Sequence, residues 1–382
     1  MIQNNKKMLL RLSLLAGLLA WWLCAWWMAL AAAAAFAYLA YLNTQTPYGR
    51  LDLRAALSLN LLEFGIRFRP DKGMAFQQPV RLNLLYPLSM ALPNEPVHKT
   101  EDIHISGAEG DIPARVYWPN VTANLAGELP VVVYFHGGGF TLGNLDQFDD
   151  QCRSLANAGK TIVVSVDYRL APRFPFPAAI DDGYAAVRWV AEHAAQLGAD
   201  ANKLVVAGDS AGGGISAVVA LRALRESGPR IAAQILYYPL TDFRLVLSDR
   251  QHVTRTENQQ GSANHSMLNF SDGYGLTRDM MTAFREAYAG QVEDLAHPDL
   301  SPLLAPSHAG LPPTLVVTAG FDPLHDSGEQ YVKKLREAQV PVTWLDYKDT
   351  VHGFLSIRFF RQRRQALNET ARFLNHLFHA RP

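Results

Sequence analysis

The chain has 382 residues, enough for one large domain or two ordinary ones, and its 35 basic and 35 acidic residues leave a formal net charge of zero. That balance excludes a sequence-wide attraction for nucleic acid or any other polyanion. Two cysteines, Cys24 and Cys152, cannot form a disulfide framework, so small disulfide-built folds are excluded as well.

From the N-terminus, Lys6, Lys7 and Arg11 precede Leu12–Leu42, a run that has no charged residue and holds Trp21, Trp22, Trp26 and Trp27. As a helix it would extend roughly 46 Å against a hydrocarbon core of about 30 Å, which fits one tilted crossing and not two. The positive flank predicts a single-pass anchor with a cytoplasmic N-terminus and the rest of the chain on the other side. The alternative is a cleaved signal segment, with small-residue sites in Ala31–Ala35 and a secreted or periplasmic product. Residues 1–42 are expected to form this segment and 43–98 a membrane-proximal, cap-forming region. Within that region Leu51–Phe68 reads as an amphipathic helix, followed by breaks at Pro70, Pro79, Pro87, Pro93 and Pro96.

The main domain is expected over 99–382. Asp102–Ser106 and Ala114–Trp118 predict an antiparallel pair around a Gly107–Pro113 turn. Continuous apolar runs then predict strands at Val131–Phe135, Ile162–Val166, Leu204–Ala207, Ile231–Tyr238, Thr314–Thr318 and Val342–Tyr347. Strands without a polar face belong in a sheet covered on both sides. Helical stretches at Ala178–Leu197, Ser210–Glu226, Ser327–Ala338 and Arg358–His379 alternate with them, which predicts a mostly parallel, doubly wound α/β sheet. Residues 247–285 are polar and interrupt this rhythm; they predict a cap insertion reaching about residue 290.

Gly208-Asp209-Ser210-Ala211-Gly212 joins the LVVA run to a helix. A G-x-S-x-G sequence in that setting is a nucleophile elbow: the turn is so tight that its flanking residues must be small, and the serine hydroxyl is left exposed. The Ala211 amide and the helix N-terminus then lie beside a developing oxyanion. His136-Gly137-Gly138-Gly139-Phe140 follows another buried strand, and its glycines let backbone amides converge on a negative oxygen. The spacing of Gly137, Gly139 and Gly143 is not that of a dinucleotide loop. Serine needs a base, and the base needs an acid to fix its tautomer. His352, after the last strand, and Asp322, after TLVVT, supply them in the chain order Ser, Asp, His. Asp326 competes with Asp322 as the acid but could cap the next helix instead, and His325 reads as a surface or turn histidine. No His or Cys spacing indicates a metal. Arg358, Arg361, Arg363 and Arg364, interleaved with Phe359 and Phe360, predict one face of the C-terminal helix, where anionic headgroups could bind.

Taken together, HGGGF at 136–140, YRLAPRFPFPAAIDD at 168–182, GDSAGG at 208–213, YYPLTD at 237–242, SPLLA at 301–305, DPLHD at 322–326 and VHGF at 351–354 resemble the hormone-sensitive-lipase-like group of α/β-hydrolases. The resemblance spans roughly residues 99–380. It implies the α/β-hydrolase fold with a helical cap, and Ser210 as nucleophile, His352 as base and Asp322 as acid. It further implies an oxyanion hole of the Gly137, Gly138 and Ala211 amides, with His136 bracing the glycine loop and Asp209 the elbow. Arg173, where an acidic residue is common, and Ser327, where Glu is frequent, depart from the pattern without touching these residues.

The expected activity is hydrolysis of carboxylic esters of short-to-medium acyl chains through an acyl-enzyme, with no cofactor. The substrate would be a small-molecule or lipid ester, with the membrane as partner through the N-terminal helix and no nucleic acid. A lipase on longer chains, or an amidase or deacetylase, would use the same residues. The similar gibberellin receptors bind ligand without catalysis, but they have lost the histidine that His352 supplies here.

Overall fold

In a computed structural model that describes residues 21–22, 25–38, 41–42, 44–59, 92–107, 109–120, 129–245 and 265–379, the apolar runs pair into a single eight-stranded sheet. Strands β1 (Gln45–Thr46) and β2 (Gly49–Arg50) form a separate antiparallel pair. The sheet holds β3 (Lys99–Gly107), β4 (Gly110–Trp118), β5 (Leu129–Phe135), β6 (Ile162–Val166), β7 (Ala199–Asp209), β8 (Ala233–Tyr237), β9 (Thr314–Phe321) and β10 (Val342–Val351). Between and after them lie α1 (Asp149–Gly159), α2 (Ala178–Leu197), α3 (Ala211–Arg225), α4 (His265–Phe270), α5 (Arg278–Ala289), α6 (His325–Glu337) and α7 (Arg361–His379). The spatial order is β10-β9-β8-β7-β5-β6-β4-β3. Pairing is parallel from β10 through β6 and antiparallel where β4 and β3 close the edge.

Side chains on β5 alternate between two cores because successive strand residues point to opposite faces. Val131, Val133 and Phe135 join α2, α3 and α6 on one face; Val132 and Tyr134 join α1 and α7 on the other. Burial on both faces accounts for the absence of a polar stripe in VVVYF.

Several boundaries differ from expectation. Strand β7 begins at Ala199 instead of Leu204, through a polar stretch that is partly exposed. The turn expected over Gly107–Pro113 tightens until Gly107 pairs directly with Gly110. Helix α1 was not anticipated, although Cys152, Leu155, Ala156 and Gly159 recur at helical spacing and are all buried. Within the interval expected to be a cap insertion, α4 and α5 are helical, and residues 246–264 lie outside the described part.

The expected single-pass anchor is corrected: no helix among the described residues is long and apolar enough to cross a membrane. Helical residues are described at 21–22, 25–38 and 41–42. Residues 1–20 lie outside the described part. The amphipathic helix is described over 53–59, where Ala55 and Ala56 are buried and the preceding Asp52 amide donates to the Asp349 carbonyl at 2.7 Å; its expected continuation also falls outside.

The basic cluster near the C-terminus is not a free face. Arg358 and Arg363 both pair with Asp150 on α1, at 2.8 and 2.7 Å, Arg361 pairs with Asp349 at 2.7 Å, and Phe360 is buried. Arg358 and Arg363 tie the start of α7 to α1, and Arg361, though exposed like Arg364 and Phe359, is paired to β10.

Candidate active site

Three successive features place Ser210. Strand β7 ends at Asp209, α3 begins at Ala211, and Ser210 between them has φ 55° and ψ −118°. A non-glycine residue with positive φ is uncommon and is held there by its surroundings. Here the Ser210 amide donates to the Tyr237 carbonyl at 2.9 Å, and its carbonyl accepts from Gly214 at 3.1 Å and Leu240 at 3.2 Å. The flanking glycines have a steric reason. A Cβ at Gly208 would lie 2.3 Å from the Gly212 carbonyl oxygen, and one at Gly212 would lie 2.0 Å from that of Phe135.

Asp322 follows β9 and His352 follows β10, so all three side chains gather at the C-terminal edge of neighbouring parallel strands. His352 Nε2 is 2.9 Å from Ser210 Oγ, and Nδ1 is 2.7 Å from Asp322 Oδ2. Asp322 is fully buried, and its other oxygen accepts from the Leu324 amide at 2.8 Å. Tyr238 stands edge-on to the imidazole, 4.8 Å between ring centres. With the proton on Nδ1 held by the carboxylate, Nε2 is free to accept from the serine.

The structure corrects one expected member of the glycine loop. The Gly137 amide donates to Asp209 Oδ1 at 3.0 Å and is therefore committed to the elbow. The chain then reverses through Gly138 at φ 118° and Gly139 at φ 62°, whose amides engage no partner among the described residues. Ala211, the first helical residue, has no preceding turn to accept its N–H. Three adjacent glycines give no sequence signal of which amides are left unengaged, which is why the open Gly139 amide was not anticipated.

His136 is fully buried and stacked between Tyr168 and Phe148, with Nδ1 2.8 Å from the Gly137 carbonyl oxygen. Burial depresses its pKa to about 4, so it is neutral and donates from Nδ1 to the glycine loop. Burial raises Asp209 to about 6, against the opposing hydrogen bonds from Tyr134 and Gly137. Tyr134 donates to Asp209 at 2.5 Å, Gln151 donates to Tyr134, and Ser356 donates to Gln151 at 3.2 Å. This buried chain links the glycine loop to the segment just after His352.

Asp326 does not reach His352. One oxygen accepts from the Ser266 amide of α4 at 2.9 Å, and the other lies 3.1 Å from His325 Nδ1. His325 is neither the surface nor the turn residue expected: it opens α6, and its Nε2 lies 3.2 Å from Asp346 Oδ1 on β10. His325, Asp326 and Glu329 bring metal-ligand types together, but both His325 nitrogens face carboxylates and the ring has no lone pair to give while protonated.

Burial alone would lower the His325 pKa, but the hydrogen bonds to Asp326 and Asp346 outweigh it and raise it to about 9. A folded pKa above the ordinary 6.5 stabilises the fold fully below that value and is lost as pH rises through about 9. The loss is expected to be on the order of 2–3 kcal/mol. A melting temperature that falls across that range in the wild type, and stays flatter in His325→Gln, is the expected result. Parallel pH profiles in the two proteins would contradict it.

A narrow apolar cleft, with a cavity volume of about 30 Å³, opens at Ser210. Phe140, Leu240, Phe243 and Leu324 form its walls from the main domain, and α5 adds Met281, Phe284 and Arg285. Helix α5 is seated by Tyr288, which stacks on Phe140 at 4.0 Å and accepts the Phe176 amide on its carbonyl at 2.9 Å. That seating brings Phe284 against Gly139, where an added Cβ would lie 2.3 Å from the ring. The 278–289 interval has no catalytic motif, but its apolar spacing at 281, 284 and 288 could have indicated this face.

A family model described as the α/β-hydrolase fold matches residues 132–356. Esterase LipI of Mycobacterium tuberculosis is 45% identical over 69% of this chain and 78% of its own length. Carboxylesterase NlhH of the same organism is 40% identical over 82% of this chain and 92% of its own length. Among solved structures, LAE6, an α/β-hydrolase enzyme from the metagenome of Lake Arreo, is similar with 37% identity and a TM-score of 0.73, covering 88% of this chain and 99% of that one. A hyperthermophilic esterase from Pyrobaculum calidifontis has 38% identity and a TM-score of 0.68, covering 77% of this chain and 89% of that one.

Proposed function

The chain belongs to the α/β-hydrolase family, in its hormone-sensitive-lipase-like group of carboxylic ester hydrolases, and on that premise we propose that Ser210, His352 and Asp322 carry the reaction. The observation that carries this reading is the chain of contacts Ser210 Oγ to His352 Nε2 at 2.9 Å and His352 Nδ1 to Asp322 Oδ2 at 2.7 Å, at the floor of an apolar cleft.

Ser210 attacks the ester carbonyl as its proton passes to His352 Nε2, and the amides of Gly138, Gly139 and Ala211 take the oxyanion. His352 then protonates the departing alkoxide, which leaves an acyl-serine. A water, deprotonated by His352, attacks that acyl carbon; the serine recovers its proton as the acid departs. Asp322 holds the imidazole tautomer throughout. His136, Asp209 and the Gly137 amide support the loop. Helices α4 and α5 act as the cap, and the apolar walls suit a short-to-medium acyl chain.

The test is hydrolysis of p-nitrophenyl esters from acetate to palmitate. Highest kcat/KM between butyrate and octanoate is the expected outcome. A maximum at palmitate would reject the chain-length reading, and folded protein that turns over none of the series would reject the esterase reading.

A further inference from the structure

Among the described residues, the cleft beside Ser210 has one charged residue in its lining, Arg285. Met281, Phe284 and Arg285 stand at i, i+3 and i+4 on α5, so the helical repeat sets the guanidinium on the same face as the apolar wall. Its Nε is buried without a hydrogen-bond acceptor, and its guanidinium pairs with no carboxylate among the described residues. Arg115, Arg169, Arg222 and Arg244 by contrast each hold at least one carboxylate, while Arg278, at the start of α5, also leaves Nε and Nη1 unpaired but lies outside the cleft lining. A buried donor without an acceptor is unfavourable, and a bound anion would relieve it.

We propose that Arg285 determines specificity, and that the cleft takes esters whose non-reacting end carries a carboxylate, bound by the guanidinium while Ser210 attacks the ester carbonyl. This rests on the esterase reading given above. A planar guanidinium matches a carboxylate with two parallel N–H···O bonds. One guanidinium, with no second cation among the described lining residues, balances a monoanion and not a dianionic phosphate. Phe140, Leu240, Phe243 and Met281 line the same cleft and lower the local dielectric, which strengthens the pair.

The experiment compares matched esters of equal length in the full chain. Mono-p-nitrophenyl adipate against p-nitrophenyl hexanoate places the carboxylate on the acyl side; 4-(butyryloxy)benzoate against phenyl butyrate places it on the alcohol side. The quantity read is the ratio of kcat/KM, anionic over neutral, within each protein. Arg285→Gln is expected to lower that ratio by roughly tenfold or more in one series, with Arg285→Lys between the two; the series that responds assigns the end that Arg285 contacts. Unchanged ratios in both series, with neutral esters still hydrolysed, would overturn the proposal and leave the esterase reading intact. Loss of all ester turnover in the wild type would instead remove the esterase reading. Should the variants not fold, the wild type alone decides. Raising salt from about 0.05 M to about 1 M is expected to raise KM for the favoured anionic ester relative to its neutral match, and equal salt responses would overturn the proposal.

Discussion

Ser210→Ala is expected to lower kcat on p-nitrophenyl butyrate by roughly 10⁴- to 10⁶-fold, the range found when the nucleophile of a serine triad is removed. The fold should survive the change. The Ser210 side chain caps no helix and its hydroxyl contacts only His352, while the strained backbone is held by bonds from its own amide and carbonyl, which alanine keeps. Stability within about 1 kcal/mol of the wild type is therefore expected, measured by urea titration. Comparable rates in the two proteins would remove Ser210 from the mechanism. A large drop accompanied by an early unfolding midpoint would show instead that the elbow had collapsed.

Asp322→Asn should cost about 10⁴-fold in kcat at neutral pH, nearly as much, through a different cause. Asparagine can still accept the Leu324 amide on one side. On the other it can present NH₂ to His352 Nδ1, where the carboxylate now sits at 2.7 Å. The imidazole then carries its proton on Nε2 and points a donor at Ser210, so it can no longer take the serine proton. Asp326→Asn is the discriminating control. Its carboxylate holds Ser266 and His325 and does not touch His352, so kcat should change by less than about tenfold while stability falls by about 1 kcal/mol or more. A reversed pattern, with Asp326→Asn the more damaging in kcat, would exchange the roles of the two carboxylates.

Much of this arrangement was legible because its chemistry imposes residue types. A tight strand-to-helix turn admits only small neighbours, so Gly208 and Gly212 mark Ser210 in the sequence; the clashes at 2.3 and 2.0 Å are the same requirement in space. Doubly covered strands have to be apolar throughout, so β5 and β6 were visible as unbroken runs, whereas the polar first half of β7 was not. The choice among Gly137, Gly138 and Gly139 was illegible because it depends on Asp209, 72 residues away, claiming the first amide. The same holds for His325 and the C-terminal arginines. Their surroundings are set by Asp346 and Asp150, partners that no local spacing reveals. The N-terminal run was read from hydropathy, which measures preference for an apolar environment and not the length of helix; no helix among the described residues is long and apolar enough to cross a membrane.

The seat of α5 has a consequence for how this protein can change. Ser210, Asp322 and His352 ride on β7, β9 and β10, a slab whose hydrogen bonds fix their spacing. Met281, Phe284 and Arg285 ride on an excursion that leaves the slab after β8 and returns before β9. Chassis and selector are thus separate parts of one chain, and α5 is seated on the chassis where Tyr288 rests on Phe140 and accepts the Phe176 amide. Selection for a new ester can rewrite the exposed turns of α5 while that seat keeps the helix in register over the machinery. A transplant of the β8–β9 excursion between relatives should carry substrate preference with it, provided the stacking pair travels intact.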